Sequence, residues 1–215
     1  MNGEAAPGRR IVGVEGGDAL TFLQGLVTND VSCLAEAPGI VWTALLSPQG
    51  KYLADFFVVA TGTGFLLDLP EPLADATLRR LSLYRLRADV RLVASPLCPH
   101  RGLGPAPEGA FPDPRHPALG WRAYAETSGD TPMIDWDAIR VEHLIPETGA
   151  ELIPEESYIL EMGFERLHGV DFRKGCYVGQ EVTARMKHKT ELRKGLVRLH
   201  VDGPAVPGTT ILAEG

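Results

Sequence analysis

Residues 172–188 concentrate the side chains that could do chemistry. The run Phe172-Arg173-Lys174-Gly175-Cys176-Tyr177-Val178-Gly179-Gln180-Glu181-Val182-Thr183-Ala184-Arg185-Met186-Lys187-His188 sets a thiol between two glycines, with two cations before it and a glutamine–glutamate pair after it. Glycine lets the backbone bend sharply or approach another group closely, which is one use for Gly175 and Gly179. From Gln180 onward the residues are good helix formers, so a loop is predicted to end at Gly179 and a helix to open at Gln180. A cysteine near the positive end of a helix, beside Arg173 and Lys174, fits an activated thiol. The competing reading of Cys176 is a small buried hydrophobe. No Gly-Lys-Ser/Thr follows the glycines, which argues against a nucleotide-binding P-loop.

The totals bound what can surround such a thiol. A chain of 215 residues, 44% hydrophobic, suffices for one or two compact units. No apolar run approaches the roughly 20 residues of a membrane span. Residues 1–10 lack the apolar core of a signal peptide, so the expectation is a soluble, cytoplasmic protein. Cys33, Cys98 and Cys176 are far apart and include no CxxC, and the six histidines show no HxxxH spacing. A disulfide framework or a self-contained metal site is therefore not expected. The net charge of −7 is uneven: nine Lys/Arg against three acids make residues 166–198 carry +6, leaving −13 elsewhere. That basic strip suits an anionic ligand or partner, unless it is a solvated face neutralised by nearby acids.

Several elements must position the segment. Asp18 is placed to cap a helix over 19–27, whose inner face carries Leu20, Leu23, Leu26 and Val27. Thr28-Asn29-Asp30-Val31 ends it, with Asn29 suited to a left-handed turn. A hairpin follows: strand 40–46, the turn Ser47-Pro48-Gln49-Gly50, and strand 52–60. A turn at 61–64, a strand at 65–69, a helix over 72–86 and a strand at 89–94 give the order β-β-β-α-β, an antiparallel-rich sheet with a helix on one face. Arg79, Arg80, Arg85 and Arg87 collect toward the end of that helix, where cations are favoured. Seven prolines in 95–117 predict a loop containing Cys98 and His100. A strand is predicted over 119–125, and a helix capped by Asp135 and ended by Pro146 carries Arg140-Val141-Glu142. Residues two apart do not share a helical face, so at most one of Arg140 and Glu142 points inward. Residues 191–201 alternate as a strand, followed by a turn at 207–208 and a strand over 209–212.

Lys174-Gly175-Cys176-Tyr177-x-Gly179-Gln180-Glu181, followed by Ala184-Arg185, resembles the signature of the YgfZ family. These are folate-binding relatives of the glycine-cleavage T-protein (GcvT), with mitochondrial counterparts in iron–sulfur cluster assembly. Phe22-Leu23-Gln24-Gly25 with Thr28-Asn29-Asp30-Val31 resembles the family's N-terminal motif, which borders the ligand cavity. Leu46-Ser47-Pro48-Gln49-Gly50 with Ala54-Asp55-Phe56, and Tyr84-Arg85-Leu86-Arg87, match further family patterns in order. The resemblance implies an α+β fold of the GcvT/YgfZ type. Residues 1–50 plus 131–190 would form a discontinuous folate-binding domain, 51–130 a ferredoxin-like insertion, and 191–215 a truncated C-terminal β-barrel.

It also implies roles. Cys176 and Lys174 would be catalytic, and Asn29, Asp55, Arg140, Glu142, Gly175, Tyr177, Gln180, Glu181 and Arg185 would line a site for tetrahydrofolate or another folate. In T-protein relatives the Arg-x-Glu carboxylate binds the pterin ring, whose adjacent N–H donors suit a two-point contact. The implied function is a folate-binding accessory factor in the assembly or repair of iron–sulfur clusters, supporting tRNA modification indirectly, with folate and client or assembly proteins as partners. A second reading is a folate-dependent aminomethyltransferase, but the T-protein's Asp-Asp pair is here Ala54-Asp55. A third is a tRNA-binding factor. No aromatics interleave the cations of 185–198, so direct nucleic-acid binding is not expected.

Overall fold

The computed structural model describes residues 3–62, 64–189, 191–203, 206 and 208–211. The turn expected at 61–64 and the strand at 209–212 each include positions outside those residues, as does the turn at 207–208. Antiparallel strands β1 (Glu4–Ala5), β2 (Arg9–Glu15), β3 (Gly39–Leu46), β4 (Tyr52–Ala60), β5 (Phe65–Pro70), β6 (Arg91–Ala94), β7 (Cys98–Gly102), β8 (Phe111–Pro112) and β9 (Trp121–Ala125) form two sheets. The larger has the order β3-β4-β5-β2-β6 and the smaller β1-β7-β9-β8. Helices α1 (Ala19–Gln24), α2 (Glu71–Arg85), α3 (Trp136–Glu142) and α4 (Gln180–Lys189) accompany them. The expected mixture of helix and antiparallel sheet is present.

Alternation along β4 explains how one sheet serves two cores. Phe56 and Val58 pack with Phe22, Leu23, Leu67 and Leu81 on the side covered by α1 and α2. Phe57 and Val59 pack with Trp42, Trp136, Phe164 and Leu167 on the opposite side. Successive side chains of a strand point to opposite faces, so apolar residues at consecutive positions require cover on both. Each fully buried Phe or Val contributes about 1.5–3 kcal/mol.

Strand β2 enters the larger sheet between β5 and β6, a place the sequence did not reveal because its apolar run, Ile11 to Val14, is short and interrupted by Gly13. The boundary expected at residue 50 falls on a hairpin turn whose two strands pair from Gly39↔Ala60 to Leu46↔Tyr52. Strands of 51–130 do not form a sheet of their own. β4, β5 and β6 belong with β2 and β3, while β7, β8 and β9 belong with β1.

Three expectations need correction. Cys98 and His100 lie in β7, paired with Ala125 and Ala123, and not in a loop. Proline at 96 and 99 misled the reading: Pro96 precedes β7, and Pro99 lies near its start, before the two positions where β1 pairs with it. Asp18 makes no side-chain cap; its carboxylate accepts the N–H of Asp89 at 2.8 Å, tying α1 to the segment before β6. Residues 191–201 form no strand, since no neighbouring strand lies beside them among the described residues. Asp135 does cap α3, accepting the N–H of Ala138 at 2.9 Å.

Candidate functional site

The turn after α1 is built as a socket. Thr28 Oγ1 donates to the Gly169 carbonyl at 2.7 Å, and Asn29 Nδ2 donates to the carbonyls of Trp42 and His168 at 2.8 and 2.6 Å. Asn29 does not adopt the left-handed conformation expected of it; among the described residues the non-glycines with positive φ are Leu86, Leu144, Glu155 and His168. Both amide hydrogens of Asn29 are committed, so it holds the turn against β3 and the 168–170 segment. Lys174 completes the socket. Its ammonium donates to the carbonyls of Gln24 and Asn29 at 2.8 and 2.9 Å, and to that of Val27. Those carbonyls lie at and just beyond the C-terminal end of α1, where cations are favoured. Burial pushes the Lys174 ammonium down to about 8, against the opposing pull of Asp30 and Asp171.

Lys174 is thus turned into the protein while Gly175 and Cys176 are exposed. Tyr177, next in the chain, is buried again, and the Lys174 ammonium stands 5.2 Å above its ring. Two inward anchors on either side of an outward pair present the thiol on a fixed base. Cys176 precedes the first residue of α4 by four positions, so it stands ahead of the helix and not within its first turn.

Gly179 explains how this loop is held. It has φ +84°, and a Cβ there would come within 2.6 Å of the Ser47 carbonyl. Gly50, at φ +74°, would place a Cβ 2.8 Å from Val182. The hairpin turn and the start of α4 therefore meet closely, Gly179 against the Ser47 backbone and Gly50 against the Val182 side chain, at two positive-φ positions that favour glycine. Gly175 has no such neighbour, since nothing lies within 4 Å of where its Cβ would stand.

The other candidates do not converge on the thiol. Asp55 is buried and accepts from Trp42 Nε1, the Tyr52 hydroxyl and the Thr148 hydroxyl, at 2.8, 2.7 and 2.8 Å. Arg140 pairs with Asp137 and Glu151 at 2.7 and 2.9 Å, whereas Glu142 points outward and pairs with Arg198. Gln180 reaches the Gly175 carbonyl at 3.5 Å, and Glu181 pairs with Arg185 on the exposed face of α4 at 3.0 Å. The basic strip is partly neutralised, because Lys187 also pairs with Glu165. Arg193 and Lys194 have no ion pair among the described residues.

A cavity of about 580 Å³ opens beside the socket, lined by Asn29, Asp30, Cys33, Trp42, His168 and Arg173 among others. Asp55, Glu142 and Cys176 are not on its wall. Trp42, which the sequence did not single out, is the link: it is buried beside this cavity, its Nε1 holds Asp55, and Phe164 stacks on it at 4.2 Å. Asp68 was also missed. It lies in the apolar run Leu66-Leu67-Asp68-Leu69 of β5, where an acid is out of place without a partner. Its partners are Arg9 and Arg122, each at 2.6 Å, and the Tyr124 hydroxyl at 2.9 Å.

Comparison with known proteins gives these features a family. No family model matches the chain. The iron–sulfur cluster assembly factor IBA57, mitochondrial, of Homo sapiens is 30% identical over 246 residues, covering 95% of this chain and 69% of that protein. Its Mus musculus counterpart is 30% identical over 92% of this chain and 65% of its own length. The Mycosarcoma maydis homologue is 32% identical, covering 90% of this chain and 55% of its own length. The chain thus spans between about half and two thirds of the relatives it matches. Among solved structures, aminomethyltransferase T of the Bartonella henselae glycine cleavage system has a TM-score of 0.39 and 20% identity, over 42% of this chain and 25% of that one. The relatives are mitochondrial proteins, which overturns the cytoplasmic expectation, and they are IBA57 proteins and not YgfZ proteins. By its identity to the human protein across more than two thirds of that protein's length, the chain belongs to the IBA57 family of iron–sulfur cluster assembly factors.

Proposed function

We propose that this chain is an accessory factor in iron–sulfur cluster assembly, and that it works with assembly or client proteins through the exposed thiol of Cys176. The observation that carries the reading is the alternation of burial along the signature: Lys174 and Tyr177 anchored, Cys176 outward between them. An exposed thiol on a fixed loop suits contact with a cluster carried by a partner, the cluster being cargo and not a resident group. An effect on tRNA modification would follow through modifying enzymes that need clusters. Cys176→Ala should fold with an unchanged melting temperature yet fail to restore cluster-dependent enzyme activity to cells lacking the protein. Full restoration by that variant would remove the thiol from the mechanism.

Tetrahydrofolate or a related folate is proposed as the ligand of the 580 Å³ cavity. Asp30 and Asp171 supply acceptors for the pterin N–H edge, Phe172 supplies flat apolar wall, and Arg173 suits a glutamate tail. The T-protein type of fold belongs to the same proposal and is supported by the order of the motifs along the chain. Isothermal titration with tetrahydrofolate should give saturable binding that Asp171→Ala weakens. The aminomethyltransferase reading asks for a carboxylate free to hold an amine, and Asp55 is committed to three donors.

A further inference from the structure

A second cavity, about 360 Å³, lies against α3 and the smaller sheet, and its wall carries two charged side chains that make no hydrogen bond or ion pair among the described residues. Arg101 of β7 lies over the Trp136 ring at 4.4 Å with its Nε buried and unbonded. Its guanidinium has no ion pair among the described residues. Glu147 stands at the rim, and its carboxylate accepts no hydrogen bond among the described residues. The other charged groups on the wall are engaged: Arg115 with Asp113, Asp135 with the Ala138 N–H, Arg140 with Asp137 and Glu151. Glu4, which also attracts the Arg101 guanidinium, accepts from Met133 N, Ile134 N and Trp136 Nε1.

Around Arg101 the interior is short of negative charge. Asp68 and Asp113 serve Arg9, Arg115 and Arg122, and leave Arg101 over. Burial, followed by the repulsion of Arg122, pushes the Arg101 guanidinium down to about 10, against the weaker attraction of Glu147 and Glu4. A buried unpaired cation is costly, and a bound anion relieves it. The volume matches that of small-molecule sites, and Trp136 offers a flat apolar surface within it.

We propose that this cavity binds a small organic carboxylate, its anionic group on Arg101 and a hydrogen-bond donor at its far end on Glu147. A planar ring between the two groups would cover Trp136. This site shares no lining residue with the cavity given above to folate, so the inference stands independently of the assembly reading.

The test uses benzoate and 4-hydroxybenzoate as probes, with sodium chloride at matched ionic strength as control. In the full chain, the Arg101 Nε–H signal in a ¹H–¹⁵N spectrum should shift saturably with either acid and not with chloride. 4-Hydroxybenzoate should bind more tightly, because its hydroxyl can donate to Glu147. Arg101→Gln should weaken both by roughly tenfold or more, the loss of one charge-assisted contact. Glu147→Gln should cancel the preference for the hydroxylated probe while leaving benzoate unchanged, and it keeps the test open if Arg101→Gln does not fold. A shift that never saturates, or that chloride reproduces, overturns the proposal. So does equal binding of both probes in the unaltered chain.

Discussion

At the scale of single residues, the signature lysine is the instructive case. Its position two before the cysteine suggested a catalytic partner, but its ammonium bonds the carbonyls of Gln24, Val27 and Asn29, more than 140 positions away in sequence. Its work is to hold the socket from which the thiol loop emerges. Lys174→Met leaves those carbonyls without their donor, and should destabilise the protein by about 1–3 kcal/mol, measured by urea unfolding. A variant as stable as the parent would show that the ammonium's own burial cost cancels its bonds. Type and spacing singled out Cys176 and Lys174, and the family resemblance singled out Asp55. Direction, inward for Lys174 and outward for Cys176, is set by what the loop packs against, and no local pattern encodes that.

At the scale of elements, the hairpin turn at Ser47–Gly50 and the start of α4 form one contact. Each motif reads as self-sufficient: proline and glycine account for the turn, and helix formers account for α4. Their meeting is visible only where Gly179 touches the Ser47 carbonyl and Gly50 touches Val182. Gly179→Ala must adopt φ +84° and push its Cβ into backbone, so it should cost about 1–3 kcal/mol or more and displace the thiol loop. Thermal melting measures the cost, and faster alkylation or proteolysis of the 173–179 loop measures the displacement. Gly175→Ala, with open space around it, should do neither. If both variants melted alike, the close approach would not be what holds the loop.

At the scale of the whole molecule, the two sheets are joined by charge. Asp68 from β5 meets Arg9 from β2 and Arg122 from β9. Burial alone would raise the Asp68 carboxyl; the guanidiniums of Arg9 and Arg122 override that and hold it down at about 2. The folded value lies below the unfolded value of 3.8, so the unfolded chain binds more protons in between. Stability from this group is therefore complete above about pH 4 and is lost as pH falls toward 2. Asp68→Asn should cost about 3–5 kcal/mol at neutral pH, because it leaves guanidiniums buried without their counter-charge. Its melting temperature should also fall less steeply between pH 4 and 2 than the parent's. An equal slope would place the acid sensitivity elsewhere.

Local order sufficed to read the hairpin, β5, α2, β6 and the α3 cap, because apolar spacing and turn chemistry act within a few residues. The family motifs were equally legible, since they are runs of adjacent residues. Which sheet each strand joined was not, nor was the entry of β2 between β5 and β6, because strand pairing is a contact between distant segments. The same reason puts Asn29 on the wall of the first cavity and Arg140 on that of the second, while Asp55, Glu142 and Cys176 line neither. A side chain's partners across 50 to 150 positions come into being only when the sheets close on one another.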